Sequence, residues 1–169
     1  MSDRRRWFAR YRVRLGFLVA AIAFWLARPT PASLALGAIL AIAGEGIRIW
    51  AAGHLDKGRE VTMSGPYRFT RHPLYVGSSI IGIGFAVACA STVAAVLALV
   101  YLAVTVTSAV RSEERHLTDK FGSAYPDYRE GRAAGTLRRF SVARVVANRE
   151  HRALAGLGAA LALLAWKAL

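Results

Sequence analysis

Gly65-Pro66-Tyr67-Arg68-Phe69-Thr70-Arg71-His72-Pro73-Leu74-Tyr75-Val76-Gly77 is a dense basic and aromatic cluster that stops abruptly at a charge-free run, Leu74–Val110, of 37 residues. The run closes at Arg111-Ser112-Glu113-Glu114. Ala90-Ser91-Thr92 is the turn signal within it. A run folded back at that turn inside a bilayer brings its two charged ends together on one side of the membrane.

Composition points the same way. Hydrophobic residues make up 55% of the 169 and mean hydropathy is +0.35, values that suit lipid better than a soluble core. A net charge of +13 suggests a nucleic-acid binder at first sight. The basic residues, however, lie between apolar runs rather than in a module of their own, which argues against nucleic acid. The single cysteine, Cys89, sits in an apolar run and reads as a small buried hydrophobe.

Five apolar runs are expected to be helices, at about 15–27, 31–52, 74–90, 92–110 and 153–166. The expected fold is therefore all-α: one multi-pass transmembrane bundle of about five spans over residues 1–169, with the catalytic part at about 44–152. The first and last runs are short against the roughly 20 residues that a span needs, so they are tilted or half-inserted partners. Twenty of the 23 Lys and Arg fall in residues 1–14, 52–73 and 111–152, which share one side if each run spans. The positive-inside rule makes that side, with the N-terminus, cytoplasmic, and the membrane the inner one in a bacterium. A signal peptide over residues 1–30 is the competing reading, but Ala32-Ser33-Leu34-Ala35 is a weak cleavage site.

Charges inside a run are functional candidates because burying them in lipid is expensive. Glu45 and Arg48, spaced i, i+3 on one helical face, are such a pair, flanked by Gly44 and Gly46. A pair near the interface that snorkels to water is the plainer alternative. Arg71 and His72 precede Pro73, which suits a helix's first turn, and so stand beside free N–H groups that favour an anion. Arg71 adds planar recognition of a carboxylate or phosphate, and Tyr67 and Tyr75 add aromatic bodies with polar tips. A basic and aromatic membrane anchor accounts for the same residues. Glu113 and Glu114 point about 100° apart on a helix and are expected to take different partners, Arg71 or Arg111 being one. Phe121-Gly122-Ser123-Ala124-Tyr125-Pro126-Asp127-Tyr128 reads as an aromatic turn able to fold over the charges.

The order Gly-Pro-Tyr, Arg-His-Pro-x-Tyr-x-Gly, a helical hairpin, Glu-Glu-x-x-Leu and Phe-Gly-x-x-Tyr-x-x-Tyr resembles the isoprenylcysteine carboxyl methyltransferase family. The phospholipid N-methyltransferases are similar more distantly. The resemblance covers about residues 44–128. It implies a membrane enzyme using S-adenosylmethionine, held by His72, Tyr75, Glu114 and Tyr67, with Arg71, His72 and Glu113 in the chemistry. The phospholipid branch adds Gly44 and Gly46 as a weak Gly-x-Gly likeness. Arg48, Tyr125 and Arg149 are the expected substrate contacts. The acceptor implied is a lipophilic small molecule, an isoprenylcysteine-like carboxylate or, alternatively, a lipid amine.

The likeness ends after Tyr128. Leu137–Arg152 is a basic amphipathic stretch expected along the anionic inner leaflet, with Arg149 and Glu150 able to turn inward as a pair. Three rivals stand beside methyl transfer. A metal enzyme would draw on His54, His72, His116 and His151, but no His-x-x-x-His or His-Glu-x-x-His spacing occurs and no metal is expected. A nicotinamide reductase on the same scaffold is the second. A non-catalytic protein binding anionic lipid is the third; it explains the charge but not two charged clusters at the ends of one hairpin.

Overall fold

The computed structural model describes residues 3–57, 59–122, 124–130 and 138–169. Among the described residues seven helices follow one another: α1 (Asp3–Leu26), α2 (Pro31–His54), α3 (Pro73–Ala88), α4 (Thr92–Phe121), α5 (Ala124–Arg129), α6 (Val142–Ala147) and α7 (Glu150–Lys167). A short 3-10 turn, Gly65–Arg68, precedes α3, and the described residues contain no strand. Leu137 of the basic stretch and Ser123 of the aromatic turn lie outside the described residues.

Among the described residues two helices, α2 and α4, are long and apolar enough to cross a membrane, while the apolar parts of α1 (Arg14–Leu26) and α3 are shorter. Helices α1, α2, α4 and α7 overrun their apolar stretches. Arginine and glutamate are good helix formers, so α1 continues through the basic N-terminal residues and α4 carries on past Arg111 to Phe121.

Caps set the boundaries. Thr30 and Ser33 close a reciprocal capping box ahead of α2, with Pro31 in the first turn. Ser91 accepts from the Ala94 N–H to start α4. Ala90, at φ 45°, turns the chain between α3 and α4 where the Ala-Ser-Thr signal stands.

The centre of the bundle is the α2–α3 pair, with α4 on α3, α1 on α4 and α7 on α2. Glycines let α2 and α3 approach closely. A Cβ on Gly77 would lie 2.6 Å from the Gly44 carbonyl oxygen, and one on Gly84 would lie 2.6 Å from that of Gly37. Large apolar residues such as Phe17 and Trp25 are exposed, whereas the buried apolar positions are mostly alanine. That inversion is expected of helices that meet lipid outside and pack through small residues inside.

The two ends of the bundle differ. At one, Ala23, Ala27, Ala88, Cys89, Ala94 and Leu164 form an apolar cluster, and Lys167 Nζ donates to the Phe24 and Trp25 carbonyls that end α1. At the other, the polar loops gather.

The basic stretch is broken there, because Arg149 adopts a left-handed conformation (φ 62°) between α6 and α7. Its inner side caps α2. Asn148 Nδ2 donates to the Ala52 and Leu55 carbonyls at 3.0 Å each, and Arg144 Nε donates to that of Gly53 at 2.8 Å. The last carbonyls of a helix have no partners within it, and this segment supplies the donors.

Candidate functional site

The polar end is built around His72. Pro73, fully buried, occupies the first turn of α3, where a missing N–H costs nothing. The residue before a proline is disfavoured in helical geometry, so His72 stands just outside α3 at φ −131°, ψ 54°. Its carbonyl accepts from the Tyr75 and Val76 N–H groups, which fixes the ring's position over the first turn.

Glu113 and Glu114 lie on α4 about 32 Å along the helix from Thr92, a distance close to the roughly 30 Å thickness of a bilayer's hydrocarbon core. They flank the His72 ring. Glu114 Oε1 is 3.2 Å from His72 Nε2, and Glu113 Oε2 is 3.9 Å from Nδ1. Arg71 Nη1 is 3.9 Å from Glu114 Oε1. The two carboxylates were expected to part company; they take opposite nitrogens of one ring. Tyr75 tilts against His72 with ring centroids 5.9 Å apart.

The aromatic turn folds over this cluster. Tyr125, buried, points its hydroxyl at Glu114 Oε1, 3.5 Å away. Tyr128 donates to the Tyr67 carbonyl at 2.6 Å. Burial and the nearby Glu114 push the Tyr125 phenol up to about 12. Burial, chiefly, also raises the phenols of Tyr67 and Tyr128. All three are therefore neutral donors near pH 7. Gly65, at φ +58°, turns the chain into this region, and a Cβ there would strike the His54 ring at 2.5 Å.

A second charged group lies between α2, α3 and α7. Arg48 binds Glu150 in a fork: Nε to Oε2 at 3.1 Å, Nη2 to Oε1 at 3.0 Å and to Oε2 at 2.8 Å. Its Nη1 donates to Ser78 Oγ at 2.5 Å, and Ser78 in turn donates to the Leu74 carbonyl. Glu45 Oε2 is 3.5 Å from Arg48 Nε, too far for a good hydrogen bond. Glu45, Arg48 and Ser78 line one wall of an open groove of about 320 Å³, whose other walls include Ile81, Phe85 and Leu157.

The structure thus brings Tyr67, Arg71, His72, Tyr75, Glu113, Glu114 and Tyr125 to one end of the bundle. The expected substrate residues are separated. Arg48 lines the groove, Tyr125 covers Glu114, and Arg149 is exposed. Of the pair expected to turn inward, Glu150 does so alone, because the left-handed turn at Arg149 sends the neighbours in opposite directions. Gly44 is taken up by contact with α3, and Gly46 faces open space, so they do not form a common surface. Ser78, Arg144 and Asn148 had no signal beyond being polar residues in or beside apolar runs. No group of three or more His, Cys, Asp or Glu able to hold a metal occurs among the described residues.

A family model of phospholipid methyltransferases matches residues 11–124. The chain belongs to that family. The phospholipid methyltransferase match takes in α2, α3, α4 and both carboxylates, and it stops at the aromatic turn. Two curated relatives are similar to the chain. The cobalt-zinc-cadmium resistance protein CzcN of Cupriavidus metallidurans is 35% identical over 130 residues, 71% of this chain and 57% of that protein. The nickel-cobalt-cadmium resistance protein NccN of Alcaligenes xylosoxydans xylosoxydans is 37% identical over 97 residues, 55% of this chain and 43% of that protein. The chain spans about half the length of the curated relatives it matches. No solved structure matches.

Proposed function

We propose that this chain is an integral membrane methyltransferase that takes its methyl group from S-adenosylmethionine and delivers it to a lipophilic acceptor entering from the bilayer. The observation that carries the reading is the His72 ring held between Glu113 and Glu114 under the Tyr125–Tyr128 turn. Membership of the phospholipid methyltransferase family supports it.

The residues at the polar end suit the cofactor's chemistry. Glu113 and Glu114 match its cationic groups and hydroxyls, Arg71 its carboxylate, and the rings of His72 and Tyr75 its purine. Bound there, the cofactor supplies an already activated methyl, so neither a metal nor a strong base is needed for a carboxylate acceptor. The protein's own work is positional: Glu114 orients His72, and Tyr125 closes over Glu114 and limits water. The polar end faces the cytoplasm in this reading, which the distribution of Lys and Arg supports.

An isoprenylcysteine-like carboxylate acceptor needs a cation to meet it. Arg48, the cation among the groove's lining residues, is engaged by Glu150 and Ser78. A lipid amine suits the groove better, with Glu113 or His72 to take the proton that its nitrogen must lose before it attacks the methyl. The metal-resistance names belong to relatives about twice the length of the match, and the His72 site offers methyl transfer the closer fit.

The test is transfer of a labelled methyl group from S-adenosylmethionine by the purified chain in nanodiscs, with extracted membrane lipids as acceptors and products identified by mass. A labelled lipid that disappears with His72→Ala supports the reading. No labelled product from protein that binds S-adenosylhomocysteine overturns the lipophilic acceptor, and no binding at all overturns the cofactor.

A further inference from the structure

The first turn of α3 carries His72 and Tyr75, yet its own closure is weak. His72 stands at the N-cap without a side-chain bond to the turn, and Pro73 brings no N–H. The backbone bonds from Tyr75 and Val76 to the His72 carbonyl close the turn on itself. They do not set how it is rotated against the rest of the bundle.

Arg48 supplies that hold. Its stem crosses α3 at Gly77, where a Cβ would lie 2.6 Å from Arg48 Cγ. Its Nη1 donates to Ser78 Oγ at 2.5 Å, and the same hydroxyl donates to the Leu74 carbonyl at 2.9 Å, inside the first turn. The guanidinium is itself oriented from two sides. Glu45, on its own helix, brings Oε2 to 3.5 Å from Nε, and Glu150, on α7, takes Nε and Nη2 in the fork. Glu150 is buried, so water does not compete for these charge-assisted bonds. A line of bonds therefore runs from Glu150 through Arg48 and Ser78 to Leu74, two residues from His72. Arg48 and Ser78 lie within the residues that the family model matches, whereas Glu150 lies beyond them.

We propose that Ser78, Arg48 and Glu150 are positioning residues for the His72 site. The fork from α7 orients the Arg48 head, Arg48 through Ser78 sets the rotation of the first turn of α3, and that rotation sets the Tyr75 ring against the His72 ring. The last helix of the chain thereby tunes a site that it does not enter. The effect on cofactor affinity rests on the methyl-transfer reading; the hold on the turn does not.

The experiment uses the full chain in nanodiscs, labelled with 3-fluorotyrosine. The Tyr75 fluorine resonance is identified by its loss in Tyr75→Phe. Ser78→Ala and Glu150→Gln should each shift or broaden it and leave in place that of Tyr101, which packs on Gly16 of α1. In calorimetry each should weaken S-adenosylhomocysteine binding about fivefold or more. Both act through one guanidinium, so the double variant should bind within about twofold of the weaker single one, whereas unconnected damage would multiply to about 25-fold. Ser78→Thr keeps the hydroxyl and should return both readings to those of the parent. Ser78→Ala, the smaller change, decides where Glu150→Gln does not fold. A Tyr75 resonance unmoved in Ser78→Ala overturns the proposal, as does a moved resonance with affinity unchanged or a double variant whose losses multiply. A parent chain that binds no S-adenosylhomocysteine overturns the methyl-transfer reading instead, and the fluorine resonances then decide the hold by themselves.

Discussion

His72 and Glu114 meet at 3.2 Å across 42 residues of chain, and nearly all of the intervening chain is the α3–α4 hairpin. The contact exists because Pro73 sets the start of one arm and Ser91 the start of the other. Side chains of little individual meaning become a constellation through the matched lengths of two helices.

If that constellation holds the cofactor, His72→Ala and Glu114→Gln should each weaken S-adenosylhomocysteine binding at least tenfold, about 1.4 kcal/mol, in calorimetry. Thermal unfolding should stay close to that of the parent. Parent-like affinity in both variants would remove the site.

The phenols offer a pH test. The folded values of Tyr67, Tyr125 and Tyr128 are raised above their unfolded ones, so the fold favours the neutral form. That stabilisation is fully present below about pH 10, the unfolded value, and is lost as pH rises through the folded values. In an ultraviolet titration, Tyr125→Phe should remove a step near pH 12 and leave the earlier part of the curve alone. A step lost near pH 10 instead would show Tyr125 open to water.

Glu150→Ala should destabilise the protein by about 2 kcal/mol, because it removes the charge-assisted fork and leaves Arg48 with Ser78 and the more distant Glu45. Replacing both partners by Met and Leu should cost less than the single change. A double-mutant cycle on unfolding in detergent measures the coupling, and additive single effects would mean that the fork contributes nothing.

Gly77→Ala drives a methyl toward the Gly44 carbonyl and the Arg48 side chain and should cost 1–3 kcal/mol, about the usual cost of overpacking. Gly46→Ala, which meets nothing, should stabilise by about 0.5–1 kcal/mol through helix propensity. The opposite signs, read as unfolding midpoints, separate close packing from mere helical preference.

The hairpin was legible because its signal is one-dimensional: the length of a charge-free run and the charges at its ends. The Arg71–His72–Glu113–Glu114 neighbourhood follows from it. The i, i+3 pairing of Arg48 with Glu45, 3.5 Å apart, was legible; the fork partner of Arg48 was not. The spacing along α2 offers Glu45, three residues away, whereas the fork forms with Glu150, 102 residues on. Nor does sequence reveal that Arg149, not a glycine, takes the left-handed turn that separates it from Glu150. Long-range pairing and positive φ at an ordinary residue leave no local pattern.

The Arg48–Glu150 fork also has a chronology. Arg48 leaves the ribosome roughly 5–20 s before Glu150 does, at ordinary rates of synthesis. During that interval Glu45, one turn away, is the carboxylate at hand to escort the arginine into the bilayer. When α7 arrives the escort is relieved, and its carboxylate is left facing the groove. Glu45→Ala should therefore lower the yield of membrane-inserted chain, measured by pulse-labelling, more than it lowers the stability of protein already assembled.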